Sequence, residues 1–215
     1  MIASRFLHGP TLVSNSRLRF SQFSTSSTTV TWTSTAQQEQ QPKTSTNQTQ
    51  QPIDQNDLFH RVDLRVGTIL GAESHPEAEH LYIEKVDVGE PEARTIVSGL
   101  AKYDKRVVVV ANLKSSRFRG VLSQGMLLAS SSQDQSIVDL LSVPSDCVNG
   151  ERVHLSGLET LSTPDPVLKP KQKVFEQIAQ HLLTDKDGVA TYKSVPLMTK
   201  AGPVTSKMVK LGQIS

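Results

Sequence analysis

Four consecutive valines, Val107 to Val110, constrain this chain more than any other feature. β-Branched side chains lose rotamer freedom in a helix, and an unbroken apolar run has no polar face to turn to water, so the run predicts a short strand buried on both sides. A second apolar run, Met126-Leu127-Leu128-Ala129, follows it. Between the two stand Asn112, Lys114, Ser115, Ser116, Arg117, Arg119, Gly120, Ser123 and Gln124, which predicts a cationic loop hung between two rigid elements. Loops placed this way commonly carry function.

The pattern around the valines predicts a mainly β chain. Val62, Leu64 and Val66 alternate with Asp63 and Arg65 before Gly67, Ile69 and Leu70, as in a long first strand bent by a bulge at Gly67. His75-Pro76 opens a turn, residues 82–88 give a second strand, and Gly89-Glu90-Pro91 turns into a third at 94–97. Residues 98–105 are a short, helical connection to the valine strand. A fifth strand starts at Met126, with further short strands at 137–141 and 152–155 set off by Pro144 and Asn149-Gly150. Short strands with a connector between the third and fourth fit a five-stranded oligonucleotide-binding (OB-fold) barrel over residues 57–160.

Beyond it, Pro164, Pro166 and Pro170 lead into residues 171–183, where Val174, Ile178 and Leu182 recur at helical spacing and Phe175 widens the same face. Strand-like pieces at 189–192 and 195–198 complete a small α+β extension over 161–215 whose last residues are expected to be loose.

Composition separates the first third of the chain from the rest. Residues 1–38 contain Arg5, Arg17 and Arg19, many Ser and Thr, and neither Asp nor Glu, the composition of an organellar transit peptide. Arg19-Phe20-Ser21 suits a mitochondrial matrix processing site, and the Ser/Thr richness suits a chloroplast equally; a cytoplasmic protein with a plain tail is the alternative. Residues 39–56, rich in Gln and Thr over 39–51, are expected to be a disordered linker. The single cysteine, Cys147, rules out an intrachain disulfide and a cysteine-built zinc site. No apolar run approaches the roughly 20 residues that span a bilayer, so no membrane partner is expected.

Catalytic readings fare poorly. Ser123 has Val121 two positions before it, where a nucleophile elbow requires glycine. His75 and His80 on an acidic turn lack further metal ligands, Asp185-Lys186-Asp187-Gly188 lacks the rest of a calcium loop, and no phosphate-cradling or dinucleotide glycine pattern occurs. No enzyme activity, metal or cofactor is therefore expected.

Charge favours nucleic acid. The net charge of +2 conceals blocks: ten acidic residues face Arg61, Arg65 and Lys85 over 54–93, whereas seven bases face only Asp104 over 94–119. Six acids face only Arg152 over 120–165, and eight lysines face Glu176, Asp185 and Asp187 over 166–215. Two basic blocks separated by acidic ones can converge in space on one polyanion-binding face. Lys114, Arg117 and Arg119, with Asn112, Ser123 and Gln124 as neutral partners, suit phosphate and 2′-hydroxyl contacts more than base reading. Phe118 is the main aromatic nearby, too little for extensive base stacking. Lys169, Lys171 and Lys173 sit at the expected helix's amino end, where the dipole disfavours cations; a bound phosphate backbone and plain solvation are both open explanations.

The order N-L-K-x-x-R-x-R-G-V-x-S-x-G-M over 112–126 resembles the signature of the tRNA-binding domain family. So do Asp63-Leu64-Arg65-Val66-Gly67, His75-Pro76 with Ala78 and Leu81-Tyr82, Val86-Asp87-Val88-Gly89, and Val97-Ser98-Gly99-Leu100. Family members include the carboxyl-terminal domain of animal tyrosyl-tRNA synthetase and the endothelial monocyte-activating polypeptide. The resemblance implies an OB fold that binds tRNA largely by its folded shape, as an accessory to aminoacyl-tRNA synthetases. Carried over by motif, Asn112, Lys114, Arg117, Arg119, Ser123 and Met126 form the RNA-facing set, and His75-Pro76 and Gly67 are structural. Ser115 replaces a proline common in the family, which implies a less rigid basic loop. No synthetase catalytic domain precedes the barrel, so a free-standing factor is expected. The tail from Leu168 resembles the extension that imitates the second subunit of shorter bacterial dimers, implying a monomer. Alternatives are a cytokine-like or docking protein, with Arg65 to Gly71 in the corresponding segment, and a general single-strand binder.

Fused to a fluorescent reporter, residues 1–51 are expected to carry it into mitochondria or plastids; a reporter that stays in the cytosol overturns the transit-peptide reading.

Overall fold

The valine run forms a strand whose successive side chains enter two different cores. In the computed structural model, residues 53–54, 56–100, 105–159 and 163–215 are described. The expected transit peptide, the linker up to residue 52 and the middle of the 98–105 connection lie outside the described residues.

The strands in chain order are β1 (Leu64–His75), β2 (Ala78–Asp87), β3 (Arg94–Ser98), β4 (Arg106–Val110), β5 (Ser116–Phe118), β6 (Val121–Ser123) and β7 (Met126–Leu127). Then come β8 (Ala129–Ser131), β9 (Val138–Leu140), β10 (His154–Leu155), helix α1 (Val174–Ala179), β11 (Leu182–Thr184), β12 (Ala190–Tyr192), β13 (Val195–Thr199), β14 (Gly202–Pro203) and β15 (Gln213–Ile214). The first sheet has the order β3-β2-β1-β4-β7 and is antiparallel throughout. β4 is thus paired on both edges, as a run with no polar face requires.

Val107 and Val109 join Ile69, Val86, Val88, Ile96, Leu127 and Leu140 in one core cluster. Val108 and Val110 join a larger one with Phe59, Val62, Leu64, Val66, Leu128 and Leu141. The larger cluster also holds Val174, Phe175, Ile178, Leu182, Tyr192, Leu197 and Ile214, so the carboxyl-terminal third is built onto the outer face of the first sheet.

Three local expectations are corrected. The bulge in β1 falls at Leu70, where the register to β2 slips and the side chain is 62% exposed, not at Gly67. Gly67 stays in register opposite Val107, and it is glycine because a Cβ there would come within 3.0 Å of the Asp87 carbonyl. The helix expected over 171–183 shrinks to Val174–Ala179: Pro170–Gln172 is a 3-10 turn, Lys173 is left-handed (φ 49°), and Leu182 buries its side chain from β11 instead. The expected loose end is ordered. β15 pairs with both β8 and β11, Ser215 and Ala129 exchange backbone hydrogen bonds of 2.9 Å, and Ile214 is fully buried. A second sheet therefore runs β10-β13-β12-β11-β15-β8-β9, joining tail strands to those that follow β7.

One side chain contradicts the apolar pattern. Glu84 shares its face of β2 with Val86, lies opposite Ala72 and Ile96, and is wholly buried with no hydrogen-bond partner for either carboxylate oxygen. Burial pushes its carboxyl up to about 7, the nearby Ser98 hydroxyl offsetting only part of that. A folded-state value raised above the unfolded one means the folded state holds the proton more tightly. Stability is then greatest below about pH 4.5 as far as Glu84 is concerned, and is lost as pH rises through 7. Glu84→Gln is expected to raise stability at pH 8 by about 3 kcal/mol and to flatten the pH dependence between 5 and 8, read by urea denaturation. An unchanged pH profile would contradict the burial argument.

Candidate nucleic-acid interface

The expected cationic loop is a β-hairpin. β5 and β6 pair in register Ser116 with Ser123, Arg117 with Leu122 and Phe118 with Val121. The two connecting residues, Arg119 and Gly120, both take positive φ (43° and 89°), the requirement of the tight turn whose twist matches paired strands. Gly120 meets that requirement without strain. Cross-strand partners share a face, so Arg117 and Leu122 point one way and Ser116, Phe118, Val121 and Ser123 the other.

The second of these faces is fastened to the body. The Ser123 hydroxyl accepts from the Val97 N–H (3.0 Å) and donates to the Gly125 carbonyl (3.1 Å). Gln124 exchanges hydrogen bonds with Thr95, backbone N–H to carbonyl at 2.8 Å and side-chain oxygen to the Thr95 N–H at 3.0 Å. At the turn end, His75 Nδ1 accepts from the Glu77 N–H (3.1 Å), which leaves Nε2 as the donor to the Phe118 carbonyl (3.1 Å). Buried His75 thus clamps the hairpin, the structural role the motif implied, and both its nitrogens are occupied. Ser115 is exposed, and rigidity at the missing proline comes from these anchors.

Lys114, Arg117 and Arg119 are exposed and form no ion pair among the described residues; Arg117 donates to the Gly120 carbonyl at 2.9 Å. The other described bases of the block are turned inward. Arg94 grips Glu90 with two nitrogens (2.6 and 2.8 Å), Lys105 reaches Asp139 (3.3 Å), and Arg106 donates to the Cys147 carbonyl. Among the described residues, the exposed bases of the block are therefore Lys114 and the two of the hairpin.

The tail supplies the rest. A parallel bridge joins Leu113 to Leu168, with the Leu168 N–H donating to the Asn112 carbonyl at 2.8 Å. Residues that follow bridged partners in parallel chains lie side by side, so Lys114 stands beside Lys169, and both line one small cleft with Pro170 and Glu176. Lys171 and Lys173 continue from there, both exposed, on the 3-10 turn and its left-handed cap. Since α1 begins only at Val174, Lys173 alone stands at its amino end, as N-cap, while Lys169 and Lys171 stand clear of its dipole.

Three residues of the expected RNA-facing set point inward. Asn112 is 5% exposed, and its amide accepts from the Asp63 N–H (3.0 Å) and donates to the carbonyls of Arg61 (2.9 Å) and Asp165 (2.8 Å). That exhausts both of its N–H groups on the backbone. Ser123 is held as described, and Met126 packs against the larger core. These three position the cationic surface. From the sequence, Gln124 reads as a hydrogen-bonding partner of the RNA-facing set and His75 as structural without its partner; the Arg-Gly pair between alternating residues was a hairpin signal in plain view, whereas the link from His75 to Phe118 has none. Arg65 to Gly71, the segment of the docking alternative, lies within β1, where Arg65–Thr68 pair with β4 and Thr68, Ile69 and Gly71 with β2.

Comparison with known proteins agrees with this layout. Residues 64–152 match the family described as "Putative tRNA binding domain". The chain is 45% identical over 163 residues to chicken (Gallus gallus) cytoplasmic tyrosine–tRNA ligase, covering 72% of this chain and 31% of the ligase. It is 40% identical over 169 residues to mouse (Mus musculus) aminoacyl tRNA synthase complex-interacting multifunctional protein 1, covering 75% of this chain and 52% of that one. The chain thus spans about a third and about half of these relatives. The crystal structure of the C-terminal domain of Plasmodium vivax p43 superposes with a TM-score of 0.68 at 34% identity, over 73% of this chain and 98% of that one.

Asn112→Ala is expected to cost about 3 kcal/mol, because it strands one buried N–H and two carbonyls, whereas Lys114→Ala stays within about 0.5 kcal/mol of the parent. Urea denaturation of the two variants checks this, with equal losses contradicting the assigned roles.

Proposed function

Because the chain belongs to the tRNA-binding domain family, we propose that it binds tRNA through phosphates, on one cationic face running from the β5–β6 hairpin to the Lys169–Lys173 turn. The observation that carries this reading is the Leu113–Leu168 bridge. It sets the bases of two distant segments side by side, while Lys114, Arg117 and Arg119 have no ion-pair partner among the described residues. The geometry favours a folded RNA over a stacked single strand. Phe118 lies on the fastened side of the hairpin, and Asn112 and Ser123, which could have read base edges, are hydrogen-bonded within the protein. Beside Phe118 and Leu122, which stay partly exposed, the hairpin presents charge on a pre-shaped surface, which suits the shape and backbone of an RNA helix.

The curled sheet β3-β2-β1-β4-β7, with the hairpin fastened along β3, we read as an OB-fold barrel. The protein acts by binding rather than catalysis, as an accessory to aminoacyl-tRNA synthetases, a role supported by its likeness to a tyrosine–tRNA ligase and to a synthase complex-interacting protein. It works as a monomer, since the larger core already covers the outer face of the first sheet with tail residues. The acid-free composition of residues 1–38 supports action inside an organelle.

Counterion release makes the reading measurable. Filter binding of tRNA across a salt series is expected to give a steep loss of affinity, and the combined change of Lys114, Arg117 and Arg119 to Ala is expected to flatten the slope by about 2 to 3 units. Binding indifferent to both salt and these residues would overturn it.

A further inference from the structure

The two basic blocks of the sequence meet not once but twice, at opposite ends of β4. At one end Lys114 adjoins Lys169. At the other, a cleft is lined by Lys105, Arg106, Ser142, Val143, Pro144, Pro203, Thr205 and Lys207, three bases and, among the described residues, no acid. We propose that this second cleft is a phosphate subsite for the RNA backbone, separate from the hairpin face.

Its cations are held from behind. One buried carboxylate, Asp139, accepts the Lys105 ammonium on Oδ1 (3.3 Å) and the backbone N–H groups of Lys207 (3.1 Å) and Met208 (3.3 Å) on Oδ2. Lys105 also donates to the Leu140 carbonyl at 3.0 Å. Asp139 therefore balances Lys105 and fixes the backbone from which Lys207 projects, without drawing the Lys207 ammonium inward. Arg106 donates through Nη1 to the Cys147 carbonyl, which orients the guanidinium and leaves its other nitrogens for a ligand. The Lys207 side chain is exposed and has no ion pair among the described residues.

The wall behind them is rigid. Ser142 and Thr205 exchange backbone hydrogen bonds of 2.7 and 2.9 Å, and Pro144 and Pro203 form the rim. The Ser142 hydroxyl is buried without a hydrogen-bond partner, an unmet polar group in the wall of a cationic cleft. Two positioned charges, a guanidinium and an ammonium from segments about a hundred residues apart, match a tetrahedral oxyanion better than they match a peptide or an apolar ligand. Arg106 and Lys114 are eight residues apart, so the two faces lie at most about 25 Å from one another. A folded RNA spans that; one phosphate does not. The ligand follows from the proposed tRNA binding, and the subsite extends its footprint along β4.

Two measurements on the full chain test it. Lys207→Gln is expected to lower the log affinity–log salt slope for tRNA by about 0.9. Cys147 is the one cysteine and is buried, so Lys207→Cys offers a single reactive thiol for an azidophenacyl label, which is expected to crosslink to bound tRNA on illumination. The same label on Glu159→Cys, in a cleft that also holds Glu151, is the control expected not to crosslink. An unchanged slope in Lys207→Gln, with or without a crosslink, overturns the subsite if the triple hairpin variant still flattens the slope. Should the hairpin variant also bind unchanged, the tRNA reading itself falls, and the subsite with it.

Discussion

The burial of one strand on both faces governs the rest of this structure. Because Val107 and Val109 face one core and Val108 and Val110 another, β4 needs apolar cover on two sides. The curl of the first sheet provides it on one side. On the other the cover comes from the tail, over a strand whose four valines are fully buried. Each side chain of this size contributes roughly 1.5–3 kcal/mol when shielded from water, so an uncovered face would cost a large part of a domain's net stability.

Polar contacts then fix where the cover sits. Asp57, the N-cap of the Leu58–Arg61 turn, accepts from Tyr192 Oη (2.7 Å) and Lys193 Nζ (2.6 Å). Arg61 binds Asp165 at 2.7 Å, and Asn112 holds the carbonyls of both segments at once. Apolar packing is indifferent to small slides, whereas these contacts are not. They set the register of the Leu113–Leu168 bridge, and through it the juxtaposition of Lys114 and Lys169. The cationic face is thus a product of core covering, with its charges placed by groups that never touch a ligand.

What could be read from the sequence was local. The valine strand, the His75-Pro76 turn and the third strand at Arg94 each announce themselves within a few residues, through β-branching or turn chemistry. The parity that Glu84 shares with Val86 and Val88 pointed inward too, but it was not read as a buried carboxyl. Leu182 was misassigned because a spacing of four is both helical and even: the same residue satisfies an apolar helix face and an inward strand position. Of the site, the cations were visible and their company was not. A motif position such as Asn112 declares that an amide is needed without declaring for what, and no local pattern links Leu113 to a residue beyond Asp165.

The place of β15 bears on how such a chain is made. β15 is the last strand in chain order, yet it lies between β8 and β11, and its partner Ser131 precedes Gln213 by more than eighty residues. During synthesis the β8 edge stays open until that strand has left the ribosome, so the growing chain carries an unpaired edge while more than eighty further residues emerge. This sheet closes only when β15 arrives, which exposes the chain to association with its own copies in the interval.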